Sequence, residues 1–339
     1  MEEKRVRICD IAEELGLSTA TVSNVIHGKT KKISDETVRR VQQLLEERQY
    51  IPSMAGILLA QNNSRIIGVV VNDHEKYEGH VLEDVFIASS LNYLSAEIEK
   101  TGNFMMVKTA TEVKEIMAFA SMWNMDGLVI IGFCEQDYQN LRDAMRIPFV
   151  VYDGYFESPR RICNLTLDNY DGGLQIGHYF KELGHKKVLC VSDNAICLDL
   201  ERYQGFRDGF GVAGVSFLQI PMQKELRRAF YEEQLTYIMQ HTAVFAVSDY
   251  YAIELMQFLM ERGVKVPEDI SIAGFDDNPI CELVVPSLTS IRQDGSRRAQ
   301  MAIKMLNELR QGEEEGRTEK LPVTLVKRKS TAICTKQKC

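Results

Sequence analysis

A small all-α module followed by an α/β core of two doubly wound parallel-sheet lobes is the fold that two patterns in this sequence predict. Through the first fifty residues, apolar side chains recur at helical spacing. From Ile66 onward, short apolar runs alternate with helical stretches of roughly fifteen residues.

In the opening stretch Ile8, Ile11, Ala12 and Leu15 share one helical face, Gly16 supplies the permissive backbone of a tight turn, and Ser18 is a natural N-cap. A second helix is predicted over Thr19 to Ile26, with Val22 and Val25 inward and Thr19, Ala20, Thr21, Ser23, Asn24 and His27 outward. This is the shape of a helix-turn-helix, whose second helix fits the major groove and meets base edges and phosphates with its outward polar residues. The competing reading is three short amphipathic helices that pack only on themselves. Ser34-Asp35-Glu36 opens the third helix, with Ser34 as N-cap and two acids in the positive first turn, and Val38, Val41, Leu44 and Leu45 carry it to about Arg48. Pro52 can then start a further helix, so Ser53 to Gln61 forms a short segment that Asn62-Asn63-Ser64 joins to the rest.

The apolar runs of the core are Ile66–Val71, Phe104–Val107, Gly127–Ile131, Phe149–Tyr152, Leu165–Leu167, Val188–Val191, Ser216–Ile220, Val244–Val247 and Ser271–Phe275. Runs buried on both faces and separated by crossover helices mean parallel sheets. Nine exceed a comfortable single sheet, which predicts two lobes with ligand-binding residues at the carboxyl ends of the strands, facing a cleft. No phosphate-binding glycine loop is present; Gly172-Gly173 reads as helix-entry packing.

Composition bounds the function. The 339 residues suit two or three domains, and 45% hydrophobic with 26% charged residues is ordinary for a globular protein. No apolar run approaches the ~20 residues of a membrane span, and Met1-Glu2-Glu3-Lys4-Arg5 lacks the apolar segment of a signal peptide, so a cytoplasmic protein with no membrane partner is expected. Eight cysteines at 9, 134, 163, 190, 197, 281, 334 and 339 show no CxxC pair or His-rich neighbourhood; buried thiols are expected, with no metal site, disulfide framework or cofactor. Residues 1–60 hold nine basic and nine acidic residues, so the whole net charge of −8 lies beyond them. The body should not bind nucleic acid by itself, whereas the bases of the opening segment cluster at Lys29, Lys31, Lys32, Arg39 and Arg40.

The ordered set Asp10-Ile11-Ala12, Gly16-Leu17-Ser18, Thr21-Val22-Ser23, Tyr50-Ile51-Pro52 and Leu59 resembles the headpiece of the lactose-repressor (LacI/GalR) family of bacterial transcription regulators. Further along, Asp126-Gly127-Leu128-Val129, Ile147-Pro148-Phe149-Val150, Asp168-Asn169, Gly184-His185-Lys186, Arg202 with Gly205-Phe206, Val266-Pro267-Glu268-Asp269-Ile270-Ser271, Gly274-Phe275-Asp276-Asp277, Leu288-Thr289-Ser290-Ile291 and Arg328-Lys329-Ser330-Thr331 match that family in order. The resemblance implies a DNA-binding headpiece over 1–50, a hinge helix and linker over 51–63, and a periplasmic-binding-protein-like core over 64–331, with a tail at 332–339. Within the core it implies an N-terminal lobe of 64–162 plus 293–320 and a C-terminal lobe of 163–290 plus 321–330, the chain crossing between them three times. In the hinge, Leu59 takes the place of the family's minor-groove wedge, while Gly56 and Ile57 depart from the usual alanine and arginine. A simple hydrophobic tether is the alternative for Ile57-Leu58-Leu59.

The DNA-contacting residues so implied are Ser18, Thr19, Ala20, Thr21, Ser23, Asn24, His27, Ser34, Tyr50 and Leu59. Strand ends and positional match give the effector residues: Asn72 and Asp73 after the first strand, Asp153 after the fourth, Ser248 with Asp249 after Val244–Val247, Asp276 after Phe275, and Gln293 at the third crossover. Arg202 stands where the family places an effector-binding arginine, but the second arginine's position holds Ile196. Asp249 and Asp277 have an alternative as helix caps. Carboxylates, an arginine and aromatic neighbours such as Tyr155, Phe156 or Tyr250 suit a polyhydroxylated ligand.

Catalysis is disfavoured. His178 and His185 have no Cys or Ser nucleophile at recognisable spacing, and adjacent residues such as Asp276 and Asp277 usually point apart. The expectation is a dimeric repressor on double-stranded operator DNA, controlled by a sugar or related metabolite in the cleft; the alternative is a cytoplasmic sugar-binding or sugar-modifying protein on the same core. A homodimer is implied because one headpiece reads a half-site.

Overall fold

The computed structural model describes residues 6–50, 64–156, 162–312 and 316–335. The chain divides into two compact units, Met1–Ser64 and Arg65–Cys339. The expected hinge segment, with Leu59, lies outside the described residues.

Among its described residues the first unit has three helices: α1 (Ile8–Leu15), α2 (Thr19–Ile26) and α3 (Asp35–Glu47). Gly16 closes α1 in the left-handed conformation at φ 65°, which a β-carbon would strain, and Leu17 N–H returns to the Ala12 carbonyl. Ser18 and Ser34 cap α2 and α3 identically, each hydroxyl accepting the amide three residues on and meeting the hydroxyl of Thr21 or Thr37 at 2.8 Å. Ile11, Ala12, Val22, Val25, Val41 and Leu44 form the core, and the Arg48 guanidinium bridges from the end of α3 to Glu14 of α1 at 2.8 Å.

The second unit contains two six-stranded sheets among its described residues. The first runs β11-β5-β4-β3-β1-β2, from β1 (Ile66–Asn72), β2 (Phe104–Ala110), β3 (Gly127–Ile131), β4 (Phe149–Tyr152), β5 (Cys163–Leu167) and β11 (Thr318–Leu321), all parallel. The second runs β12-β10-β9-β8-β6-β7, from β6 (Val188–Ser192), β7 (Val215–Gln219), β8 (Ala243–Ala246), β9 (Ser271–Asp276), β10 (Thr289–Arg292) and β12 (Thr324–Val326), with β12 antiparallel to β10. Both repeat the 2-1-3-4-5 doubly wound order, whose switch points lie between β1 and β3 and between β6 and β8.

Helices α4 (Val85–Lys100), α5 (Val113–Met122), α6 (Glu135–Ala144) and α12 (Gly295–Gln311) belong to the first lobe. The second carries α7 (Asn169–Glu182), α8 (Cys197–Phe210), α9 (Lys224–Ile238), α10 (Asp249–Met260) and the single turn α11 (Ile280–Leu283).

The lobe boundary expected at 162/163 moves. Cys163 pairs with Val150 of β4, so β5 completes the first sheet and the crossover follows it at Asp168. The later crossovers fall between β10 and α12 and between β11 and β12, which puts Gln293 on the second of three, not the third. Of the thiols expected to be buried, Cys163, Cys190 and Cys281 are; Cys9, Cys134 and Cys197 are exposed, and Cys334 is half-buried. No described helix is long and apolar enough to cross a membrane.

Candidate DNA-reading helix and inter-lobe cleft

On α2 the face opposite Val22 and Val25 presents Thr19, Ala20 and Asn24, all exposed, while Thr21, Ser23 and His27 are half-buried at its margins. The Thr21 hydroxyl already meets Ser18, so a phosphate contact there would compete with the cap. Tyr50, expected on the DNA surface, packs its ring against the three-helix core. Asn24 is exposed on this face, and its amide makes no side-chain hydrogen bond among the described residues; it is the donor–acceptor pair that adenine's groove edge complements.

The cleft is built at the carboxyl ends of the strands. Asn72 ends β1 and donates from its amide to the Gly132 carbonyl at 2.9 Å, tying β1 to β3 at the switch point. Beside it, Asp73 holds a buried carboxylate oxygen that no described group satisfies. Asp153 follows β4 with φ 64°, and Asn164 clamps the next residue by exchanging two hydrogen bonds with Gly154, at 3.0 and 2.9 Å. Asp276 ends β9 with φ 115°; such backbone strain clusters where a side chain must be aimed.

One polar chain joins the lobes. Gln293 donates to Asp276 Oδ1 at 3.0 Å and accepts from Arg298 Nη1 at 2.6 Å, and Arg298, 1% exposed on α12, forms an ion pair with Asp153. The Arg298 guanidinium also lies over the Tyr152 ring, 3.9 Å from its centroid. Burial opposes the charge on Arg298, but Asp153 and Tyr152 outweigh it and raise its hold on the proton. The Tyr152 hydroxyl is itself pushed up to about 12 by burial.

Arg202 reaches the same region from α8. Its Nε donates to Asn169 at 2.9 Å, its Nη1 to the Val247 carbonyl at 2.7 Å, and its plane lies 3.8 Å from the centre of the Phe275 ring. Burial pushes the Asp276 carboxyl well above the usual carboxylate range; Arg202 opposes that rise, and Asp249, Asp84 and Asp153 add to it. Such a carboxyl is short of donors.

Asp249 is buried and engaged: it accepts the Ser290 hydroxyl at 2.5 Å and the Asn278 amide at 2.8 Å, and burial moves it up to about 6. Asp277 is tied by Arg292 at 2.6 Å and Arg328 at 2.5 Å. Both therefore hold the loop after β9 and the start of α10. Ser248 caps α10 through the Tyr251 amide at 3.3 Å.

Several cleft residues escaped sequence reasoning. Lys76 and Tyr77, on the loop after β1, face the second lobe: burial tends to lower Lys76, but Tyr77, Asp193 and Asp199 outweigh it and raise it. Burial likewise raises Asp199, against Arg202 and Lys76, and its side chain accepts from Ser192 at 3.1 Å and Asn194 at 3.0 Å. The strand-end rule that located Asn72 would have located Asp193, two residues after Val188–Val191; nothing local marks Arg298, one of two adjacent arginines on an amphipathic helix. Among the rings expected at the ligand, Phe156 packs on Tyr138 of the first-lobe core, centroids 5.5 Å apart. Tyr250 is turned toward Arg227. The rings under the cleft guanidinium groups are Tyr152 and Phe275.

A helical module with a groove-sized reading helix, joined to a two-lobed core with a polar cleft at its strand ends, has the build of a ligand-controlled DNA-binding regulator. Residues 7–53 match the family model for bacterial regulatory proteins, lacI family, and residues 178–331 that for a periplasmic binding protein-like domain. The chain belongs to the LacI family of transcription regulators. It is 29% identical over 332 residues to an HTH-type transcriptional repressor PurR from Haemophilus influenzae, covering 91% of this chain and 92% of that one, and 28% identical to its namesake from Erwinia tasmaniensis, with 96% of each covered. Among solved structures, the lac repressor dimer bound to operator and the anti-inducer ONPF superposes with a TM-score of 0.84 at 23% identity, over 97% of this chain and 100% of that one. A LacI-family regulator from Enterococcus faecium with bound ribose gives 0.68 at 25% identity, over 80% and 100%.

Proposed function

We propose that this chain is a cytoplasmic, dimeric repressor without catalytic activity, whose hold on a two-fold symmetric operator is set by a sugar or related polyhydroxylated metabolite in the cleft. The observation that carries the reading is the chain Asp276–Gln293–Arg298–Asp153, which runs from the end of β9 across the crossover to the end of β4. Asp276 offers a carboxyl to adjacent hydroxyls, Arg202 and Arg298 offer planar donors, and Asn72, Asp73, Asp153, Ser248 and Gln293 complete the set. A ligand touching both ends binds one arrangement of the lobes better than another, which is what a switch requires. Thr19, Ala20 and Asn24 read bases, and Ser18, Ser23, His27 and Ser34 meet phosphates. Leu59 enters the minor groove from the hinge.

A thermal-shift screen of the full chain over sugars, nucleosides and small metabolites, followed by operator binding with and without each hit, tests the reading. A stabilising polyol that changes operator affinity by 5–150-fold, the range of a coupling of ~1–3 kcal/mol, supports it. Turnover of that polyol would replace it with the enzyme alternative.

A further inference from the structure

We propose that the first lobe carries a second ligand site, at the end of its sheet opposite the cleft, that takes a small metabolite bearing a phosphate monoester. A cavity of about 370 Å³ opens there, lined among others by Asp126, Arg142, Arg146, Phe149 and Arg310. Asp126 immediately precedes β3, Phe149 begins β4, Arg142 and Arg146 lie at and just beyond the end of α6, and Arg310 is in the last turn of α12. Three guanidinium groups thus face one carboxylate.

Asp126 is already committed: it takes Arg310 at 3.4 Å and the Arg65 backbone amide at 3.0 Å. Arg142 and Arg146 are exposed and form no ion pair among the described residues. A dipole argument accounts for one basic residue at each helix end, since the carboxyl termini of α6 and α12 carry partial negative charge. It does not account for Arg146, which lies beyond α6. The cluster's net charge of two matches a phosphate monoester, and guanidinium forks pair with phosphate oxygens two at a time. The volume exceeds what inorganic phosphate fills and falls in the range of metabolite sites, about 300–1,000 Å³. Pro148 and Leu309, half-buried in the same lining, give the pocket an apolar wall for the carbon body. A ligand here would act beside the start of β1, since Ile66 lies at the same end of the sheet.

The test is calorimetric titration of the full chain with glycerol 3-phosphate and with inorganic phosphate, at constant ionic strength set with sodium chloride. Saturable binding is expected, tighter for glycerol 3-phosphate, weakened about tenfold or more in Arg142→Gln/Arg146→Gln as two charge-assisted pairs are lost, and strengthened in Asp126→Asn. Arg142 and Arg146 are exposed, so the double variant should fold as the parent does. Binding should survive Asp276→Ala, so failure of this site and failure of the cleft reading give different results. The proposal is overturned by the absence of saturable binding, by equal binding in the double variant, or by loss of binding in Asp276→Ala. It is also overturned if the double variant loses operator affinity while its phosphate binding is unchanged, which would assign the arginines to the DNA backbone.

Discussion

Replacing Gly205 by alanine probes how the fold delivers Arg202 to the cleft. Helices α7 and α8 pack backbone to backbone through glycines: a β-carbon on Gly205 would sit 1.9 Å from the Tyr170 carbonyl oxygen and one on Gly173 would sit 2.0 Å from that of Arg202. Gly177 and Gly209 make the same approach from each side, at 2.4 Å to Phe206 and Leu174 oxygens. A carbon–oxygen contact needs a little over 3 Å, so the helices must part by about 1 Å, and the obstacle is main chain that no rotamer can move aside. Overpacking of this kind costs ~1–3 kcal/mol, and rigid backbone puts this site at the upper end. Alanine's better helix propensity returns about 1 kcal/mol, leaving a net loss of about 2 kcal/mol. Urea unfolding followed by circular dichroism should show a lower midpoint at unchanged slope, and melting should fall by several degrees. Parting the helices also draws Arg202 away from Asn169 on α7, so effector affinity should fall with stability. An alanine variant as stable as the parent would refute the glycine-contact argument.

Asn24→Ala should relax the preference at one base pair per half-site by ~1–3 kcal/mol; binding-site selection that returns the parental sequence would show that α2 does not read bases through this amide. Asp276→Ala should leave operator binding without effector intact and abolish the effector response, read by titrating operator with and without the ligand; retained effector affinity would remove Asp276 from the site. Arg298→Met strands Asp153 and Gln293 and should destabilise the core by about 3–5 kcal/mol in urea unfolding, the cost of an uncompensated buried charge; a neutral effect would make the cross-lobe chain dispensable. His185 is held down to about 4 by burial against an ordinary 6.5, so the unfolded chain protonates first. Its contribution is complete above pH 6.5 and is lost as pH falls from 6.5 towards 4, about 3 kcal/mol in all, and His185→Gln should flatten that part of the stability profile.

What was legible in the sequence was whatever rests on local pattern. Ser18 and Ser34 announce their helices because a capping hydroxyl acts on amides three residues away, and the strand runs announce themselves because both faces are buried. The lobe boundary was not legible: Leu165–Leu167 is apolar in either sheet, and only pairing between Val150 and Cys163 places it in the first. The packing of Tyr50 and Phe156 was not legible either, because an aromatic ring carries no mark of whether it faces solvent, ligand or core. Arg298 was missed for the converse reason, as its burial is decided by Asp153 and Tyr152, more than a hundred residues earlier.

That last residue bears on how the switch can work. Arg298 sits on α12 in the first lobe, yet through Gln293 it governs the donor supply of Asp276 in the second. Asp276 is crowded by Asp249, Asp84 and Asp153 and is offset chiefly by Arg202. A ligand that brings hydroxyl donors to Asp276 competes with Gln293 for the same oxygen. If it displaces Gln293 without touching Asp153 or Arg298, it loosens the tie between lobes; if it spans both, it replaces a protein bond with a ligand bond and holds them together. The sign of the response to effector therefore follows from whether the ligand is long enough to reach from the end of β9 to the end of β4, and not from its affinity for Asp276.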